Sequence, residues 1–169
     1  PQAVSGVDAE VTDSGLLLDG PTLREGDSYT VESRRPVDDD AVLANETGAV
    51  PDRIAATYLQ LPDSTDDRVV ELAKSLTEGA GSNYERATAV ERWLEANKEY
   101  SLDAPQPEGD LVTEFVLGDA PGYCTYYASA MTVMLRSQGV PARFVTGYTP
   151  GQQVTEDEWV VRGLDSHAW

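Results

Sequence analysis

The hydrophobic pattern of this chain changes near Pro62 and again after Gly139, and that order constrains the fold more than any other property of the sequence. Residues 1 to about 50 read as strands and loops. Leu16 to Leu18, and Tyr29-Thr30-Val31-Glu32-Ser33 after the turn Glu25-Gly26-Asp27, have an extended pattern bounded by turn formers. Beyond Pro62 the period becomes helical. Ser64 and Asp67 are candidate caps for a helix whose Val69, Leu72, Ala73 and Leu76 share one face and which ends at Gly79. Ser82 with Glu85 has capping-box spacing ahead of Ala87, Val90 and Leu94, with Trp93 beside them. Tyr100-Ser101-Leu102 reads as a short extended piece, Ala104 to Gly109 as a Pro-containing loop, and Asp110 as the cap of a short helix through Leu117. A further helix runs from Cys124 through Arg136 to a stop at Gly139, with Met131, Met134 and Leu135 on its buried stripe. Then Phe144, Thr146 and Tyr148 alternate with Arg143, Val145 and Gly147, which predicts a strand starting near Ala142. Trp159-Val160-Val161-Arg162 predicts another. Segregated strands, helices and strands make an α+β fold, and we expect a β-rich appendage, or the end of a preceding segment, over 1–50 and a core domain over 51–169.

Composition narrows the function. At 169 residues the chain can bury one substantial core. Its 30 acidic and 12 basic residues give a net charge of -18, which argues against nucleic acid or an anionic membrane surface as partner. The basic set holds only two lysines, Lys74 and Lys98, and the acidic residues are spread along the whole length. Such a surface repels itself in dilute buffer and suits high salt, so we expect a halophilic source. No stretch is long and apolar enough to span a bilayer, and no signal peptide is visible. Asp38-Asp39-Asp40 reads as a solvated acidic turn. No phosphate-binding glycine loop occurs, and one Cys with one His cannot make a zinc site of the common kinds, so neither cofactor nor metal is expected.

The single cysteine and single histidine, Cys124 and His167, both fall in the last 46 residues. Pro121-Gly122-Tyr123-Cys124 puts the cysteine at a helix start, where free backbone N–H groups and the positive end of the helix dipole favour the thiolate nucleophile. Gly122 is expected to remove bulk beside the sulfur. Asp165-Ser166-His167-Ala168-Trp169 puts the histidine on a strand or its edge. A helix and antiparallel strands are a rigid mount for such a pair. Arg143 is open to binding a substrate carboxylate or to a structural ion pair, and Tyr123, Tyr126 and Tyr127 to lining a cleft or packing the core.

Gly122 to Tyr148, the Asp-x-His-Ala-Trp run, and Tyr58-Leu59-Gln60-Leu61-Pro62 together resemble the transglutaminase-like superfamily of papain-like cysteine enzymes. The resemblance covers roughly residues 29–169, and is nearest to the extracytoplasmic domain of membrane-anchored prokaryotic transglutaminases of the TgpA type. It implies a papain-like core in which the nucleophile helix packs on an antiparallel sheet. It also implies Cys124 as nucleophile, His167 as acid and base, and an aspartate on the strand beyond the histidine. Thr125 stands where members often carry Glu. Asp165 shares a strand side with His167 but lies too close in sequence to orient its ring, so the chain is expected to be a fragment cut short of the aspartate strand and poorly active by itself. The implied activity is acyl transfer on protein or peptide glutamine carboxamides through an acyl-thioester. The alternatives are a cysteine peptidase or amidase using the same pair, and a binding domain that has lost catalysis. The resemblance also implies an extracytoplasmic domain of a membrane-anchored protein, with no membrane contact by these residues themselves.

Overall fold

The structure, a computed structural model, describes residues 3–6, 10–11, 17–18, 24–33, 39–46 and 48–169. It divides into two compact units, Pro1–Asp40 and Ala41–Trp169. In the first, β1 (Ala3–Ser5), β2 (Glu10–Val11), β3 (Leu17–Leu18) and β4 (Thr30–Glu32) form two antiparallel pairs, β1 with β4 and β2 with β3. The Glu25-Gly26-Asp27 turn forms as expected. Gly26 has φ of +93°, and the Arg24 N–H donates to the Asp27 carboxylate at 2.7 Å. Leu16 and Asp38 lie outside the described residues.

Six helices follow among the described residues, the first of them inside the span expected to be strand and loop: α1 (Asp40–Ala44), α2 (Asp52–Tyr58), α3 (Asp67–Thr77), α4 (Asn83–Asn97), α5 (Leu111–Leu117) and α6 (Cys124–Ser137). Four further strands follow: β5 (Thr146–Tyr148), β6 (Gln152–Gln153), β7 (Trp159–Val160) and β8 (Ser166–Ala168). β5 pairs antiparallel with β8, and β6 with β7. Helix α6 packs against α3, α4, α5 and β8. The core forms where these helices meet, from Val69 and Ala73, Val90 and Leu94, Phe115 and Val116, and Tyr126, Ala130 and Met134. Apolar spacing along each helix therefore selects the packed face, and burial of that face is the main stabilising term.

Local signals explain several helix ends. Asp110 caps α5, its carboxylate accepting from the Thr113 N–H at 2.8 Å. Ser82 caps α4 through the Glu85 N–H at 3.2 Å, but the Glu85 carboxylate reaches back to the Gly81 N–H, one residue earlier than a capping box requires. For α3 the expected caps Ser64 and Asp67 give way to Asp66, which accepts from the Arg68 N–H at 2.8 Å. Asp66 is the residue with extended backbone (φ -68°, ψ 127°) immediately before the first helical turn, whereas Asp67 is already helical. Helix α6 ends at Ser137 with Gly139 at φ +74°.

The strand expected from Ala142 begins later, at Thr146. The Ala142 N–H donates to the Tyr58 carbonyl at 3.1 Å, and its own carbonyl accepts from Arg136 Nε at 2.8 Å. Ala142 is thus tied to the helices, and the ladder starts only where Val145 and Trp169 exchange both backbone bonds at 2.9 Å. The alternation read over Phe144 to Tyr148 does not separate a buried face from an exposed one, since Phe144, Val145 and Tyr148 are all exposed. The strand expected over Trp159–Arg162 is Trp159–Val160, because a 3₁₀ turn at Gly163–Asp165 redirects the chain toward β8.

Candidate active site

Cys124 is the first residue of α6, preceded by Tyr123 with extended backbone at the N-cap. Its N–H lies ahead of the first intrahelical bonds, which Tyr126 and Tyr127 make to the Tyr123 carbonyl. Three contacts aim the loop that enters the helix. Gly122 forms a parallel bridge with Tyr100, in which its N–H donates to Glu99 at 3.0 Å and its carbonyl accepts from Ser101 at 2.9 Å. Lys98 Nζ donates to the Gly118 carbonyl at 2.7 Å, and the Tyr127 hydroxyl donates to the Lys98 carbonyl at 2.8 Å. Gly122 is needed for packing. A Cβ there would lie 2.7 Å from both Phe115 Cε2 and Tyr126 Cβ, so the nearest bulk it avoids is aromatic.

His167 sits in the middle of β8, opposite Gly147 of β5. Its ring meets the Trp169 indole edge-to-face, centroids 5.0 Å apart. Cys124 and His167, both half-buried, line one cleft of about 720 Å³ together with Leu94, Lys98, Tyr100, Tyr127, Met131 and Trp169. Glu91 and Glu95 stand on its α4 wall. Among the described residues neither the Cys124 thiol nor the His167 imidazole makes a side-chain hydrogen bond. The Asp165 carboxylate is engaged elsewhere, accepting from the Arg162 N–H at 2.6 Å at the start of the 3₁₀ turn.

The remaining candidates separate cleanly. Tyr126 is buried, with its hydroxyl on the Pro105 carbonyl at 2.7 Å, and Tyr123 packs on it with centroids 4.8 Å apart. Tyr127 does line the cleft. Burial pushes the phenols of Tyr126 and Tyr127 up, with added repulsion from Tyr123 and Glu114 on the first and from Glu99, Tyr100 and Glu95 on the second. The Arg143 guanidinium stacks on the Tyr58 ring at 5.0 Å from its centroid and is not among the cleft residues. Met134 is fully buried in the core, and Met131 reaches the cleft wall. Sequence reasoning missed Lys98, Tyr100 and the α4 glutamates. Their one legible signal was spacing, since Glu91, Leu94, Glu95 and Lys98 recur at i, i+3, i+4 and i+7 on one helix face.

Residues 70–169 match the transglutaminase-like superfamily, more than half of the chain. The chain belongs to that superfamily. Among transglutaminase-like relatives it is 36% identical over 121 residues to the protein YebA of Bacillus subtilis, a match covering 66% of this chain and 16% of that protein. It is 33% identical over 113 residues to a protein-glutamine gamma-glutamyltransferase of Pseudomonas aeruginosa, covering 66% of this chain and 17% of that enzyme. The chain thus spans about one sixth of the length of these curated relatives. Its transglutaminase-like fold superimposes on the crystal structure of the periplasmic domain of TgpA from P. aeruginosa with a TM-score of 0.62 and 31% identity. That superposition covers 72% of this chain and 43% of the other. The α+β fold expected from the sequence is therefore the one observed.

Proposed function

We propose that the cleft catalyses cysteine-dependent acyl transfer on glutamine carboxamides of proteins or peptides. One observation carries the proposal: Cys124, opening α6, and His167, at the centre of β8, face a single cleft although 43 residues separate them in sequence. The Cys124 thiolate attacks the carboxamide carbon, and the carbonyl oxygen gains negative charge beside the Cys124 N–H at the helix start. His167 gives a proton to the departing nitrogen, which leaves as ammonia, and an acyl-thioester remains. An amine then attacks the thioester, His167 takes its proton, and the Cys124 thiolate leaves as the new amide forms, restoring the starting protonation of both groups. The apolar surfaces of Leu94, Met131 and Trp169 limit water as a competing acceptor.

Similarity to a protein-glutamine gamma-glutamyltransferase supports the choice of glutamine as acyl donor. The test is glutamine-dependent incorporation of a labelled primary amine into a protein substrate. Wild type is expected to incorporate it, and Cys124→Ser and His167→Ala to lose incorporation. Peptide cleavage without incorporation would replace this proposal with a peptidase, and no acyl-enzyme at all would make the cleft a binding site.

The same proposal assigns the chain to the extracytoplasmic side of a membrane-anchored protein, supported by the likeness to a periplasmic domain. Among the described residues no helix is long and apolar enough to cross a membrane. The net charge of -18 supports a protein adapted to high salt. Greater thermal stability in molar salt than in dilute buffer is the expected result, and equal or lower stability would remove that part of the proposal.

A further inference from the structure

Lys98 occupies an unusual place for an ammonium group. It follows α4 as its C-cap residue, is half-buried, and lies 5.6 Å from the centroid of Trp93 and 5.7 Å from that of Phe115. Its Nζ donates to the carbonyl of Gly118, the C-cap of α5, where a cation complements the negative end of the helix dipole. Its own carbonyl accepts the Tyr127 hydroxyl from the first turn of α6. The next three residues of its strand-like segment bridge Gly122 through Glu99 and Ser101. Lys98 therefore stands where the end of α5, the Gly118–Gly122 loop and the start of α6 converge, and it is one of the residues lining the cleft that Cys124 lines.

We infer that Lys98 is a positioning residue that, as an ammonium ion, pins the loop before Cys124 and so sets how the thiol is presented to the cleft. This rests on the proposed role of Cys124, but the test does not require turnover. A methionine of similar length keeps the apolar stem and loses the charged donor, freeing the Gly118 carbonyl. An arginine keeps a charge that does not titrate. Burial holds the Lys98 ammonium below the usual lysine range, opposed by the charge of Asp119. The loop is thus expected to loosen in alkali, where a neutral amine donates more weakly and loses its attraction to the two rings. The other ionisable groups around it are Glu91 and Glu95 of α4, Glu99 beside it, Tyr100, Tyr127 from α6, and Cys124 and His167 across the cleft.

The experiment compares wild type, Lys98→Met and Lys98→Arg by amide hydrogen exchange and by the rate of Cys124 alkylation with iodoacetamide between pH 6 and 11. Cys124 is the only thiol, so the carbamidomethylated Cys124 peptide, read separately from any alkylated amine, reports that one group. In Lys98→Met, protection of the Gly122 and Ser101 amides is expected to fall at least tenfold while Val90 and Met134 in the core keep theirs. The wild-type alkylation profile should carry an alkaline inflection absent from both variants, and Lys98→Arg should recover protection at neutral pH. Unchanged Gly122 and Ser101 protection in Lys98→Met would overturn the inference. Equal loss across the core would overturn it too, reducing Lys98 to general stability. Absence of acyl transfer with these exchange results intact would defeat the proposed function alone.

Discussion

Gly147 stands directly opposite His167 in the β5–β8 ladder, and the Trp169 indole lies over the place a Gly147 side chain would take. A Cβ there would lie 3.3 Å from Trp169 Cζ3. Trp169 in turn meets the His167 ring edge-to-face. The missing side chain on β5 thus sets the position of the indole, and the indole supports one side of the imidazole.

Gly147→Val is expected to displace Trp169 and turn His167 away from Cys124. Misplacing a catalytic group by about 1 Å can cost about a hundredfold in rate, so amine incorporation should fall by that order. Gly147→Ala, which needs the indole to move only slightly, should lose far less. Steady-state incorporation rates for the two variants check this, and equal activity of Gly147→Val and wild type would refute it.

Gly122→Ala should destabilise the domain. Its methyl would press on Phe115 and on Tyr126, whose Cγ would lie 2.9 Å away, and overpacking of this kind costs about 1–3 kcal/mol. Urea unfolding at constant m-value measures the change. A cost near zero would mean that the aromatic pair yields easily.

Asp110→Ala removes the α5 cap and the bond its carboxylate accepts from the Thr113 hydroxyl at 2.7 Å. Loss of a cap costs about 1 kcal/mol, and Asp110→Asn should restore most of it. Thermal unfolding of the three proteins tests this. A smaller loss for Ala than for Asn would contradict the capping role.

Asp66 gives a prediction in pH. Its carboxylate accepts from the Arg68 side chain and backbone, which lowers its pKa to about 2. An ordinary aspartate titrates near about 3.9. Since the folded value is the lower one, the contribution to stability is present above the unfolded value and is lost as pH falls through the folded one. Wild type and Asp66→Asn should therefore differ in stability above about pH 4 and converge toward about pH 2. Arg68 is exposed and Asp66 is half-buried at the surface, so added salt should narrow the difference. A difference that grows on acidification would have the wrong sign.

Much of this protein was readable from neighbours along the chain. The Asp110 and Ser82 caps, the helical stripe through Val90 and Leu94, the helix start at Cys124 and the stop before Gly139 depend on residues at most four or five positions apart. Such signals survive without tertiary structure because helix geometry brings i and i+3 or i+4 together wherever the helix lies. The cap of α3 is Asp66 and neither Ser64 nor Asp67: the adjacent carboxylates at Asp66 and Asp67 offer the same side-chain chemistry, and only the backbone angles distinguish them.

By itself, then, the sequence determined helices α3 to α6, the apolar face of each, and that one thiol opens a helix while one imidazole lies in an extended segment; it did not single out α1 or α2, short helices with no fully buried residue. Tertiary structure alone decided that the two share a cleft. It also decided that Lys98 reaches across 20 residues to Gly118, that Arg136 reaches across 76 to the Gln60 carbonyl, and that Gly122 is required by Phe115 and Tyr126. The physical reason is range: propensity and capping act within a turn or two, whereas a cleft is the space left where distant elements stop one another's approach, and its shape exists only after they have packed.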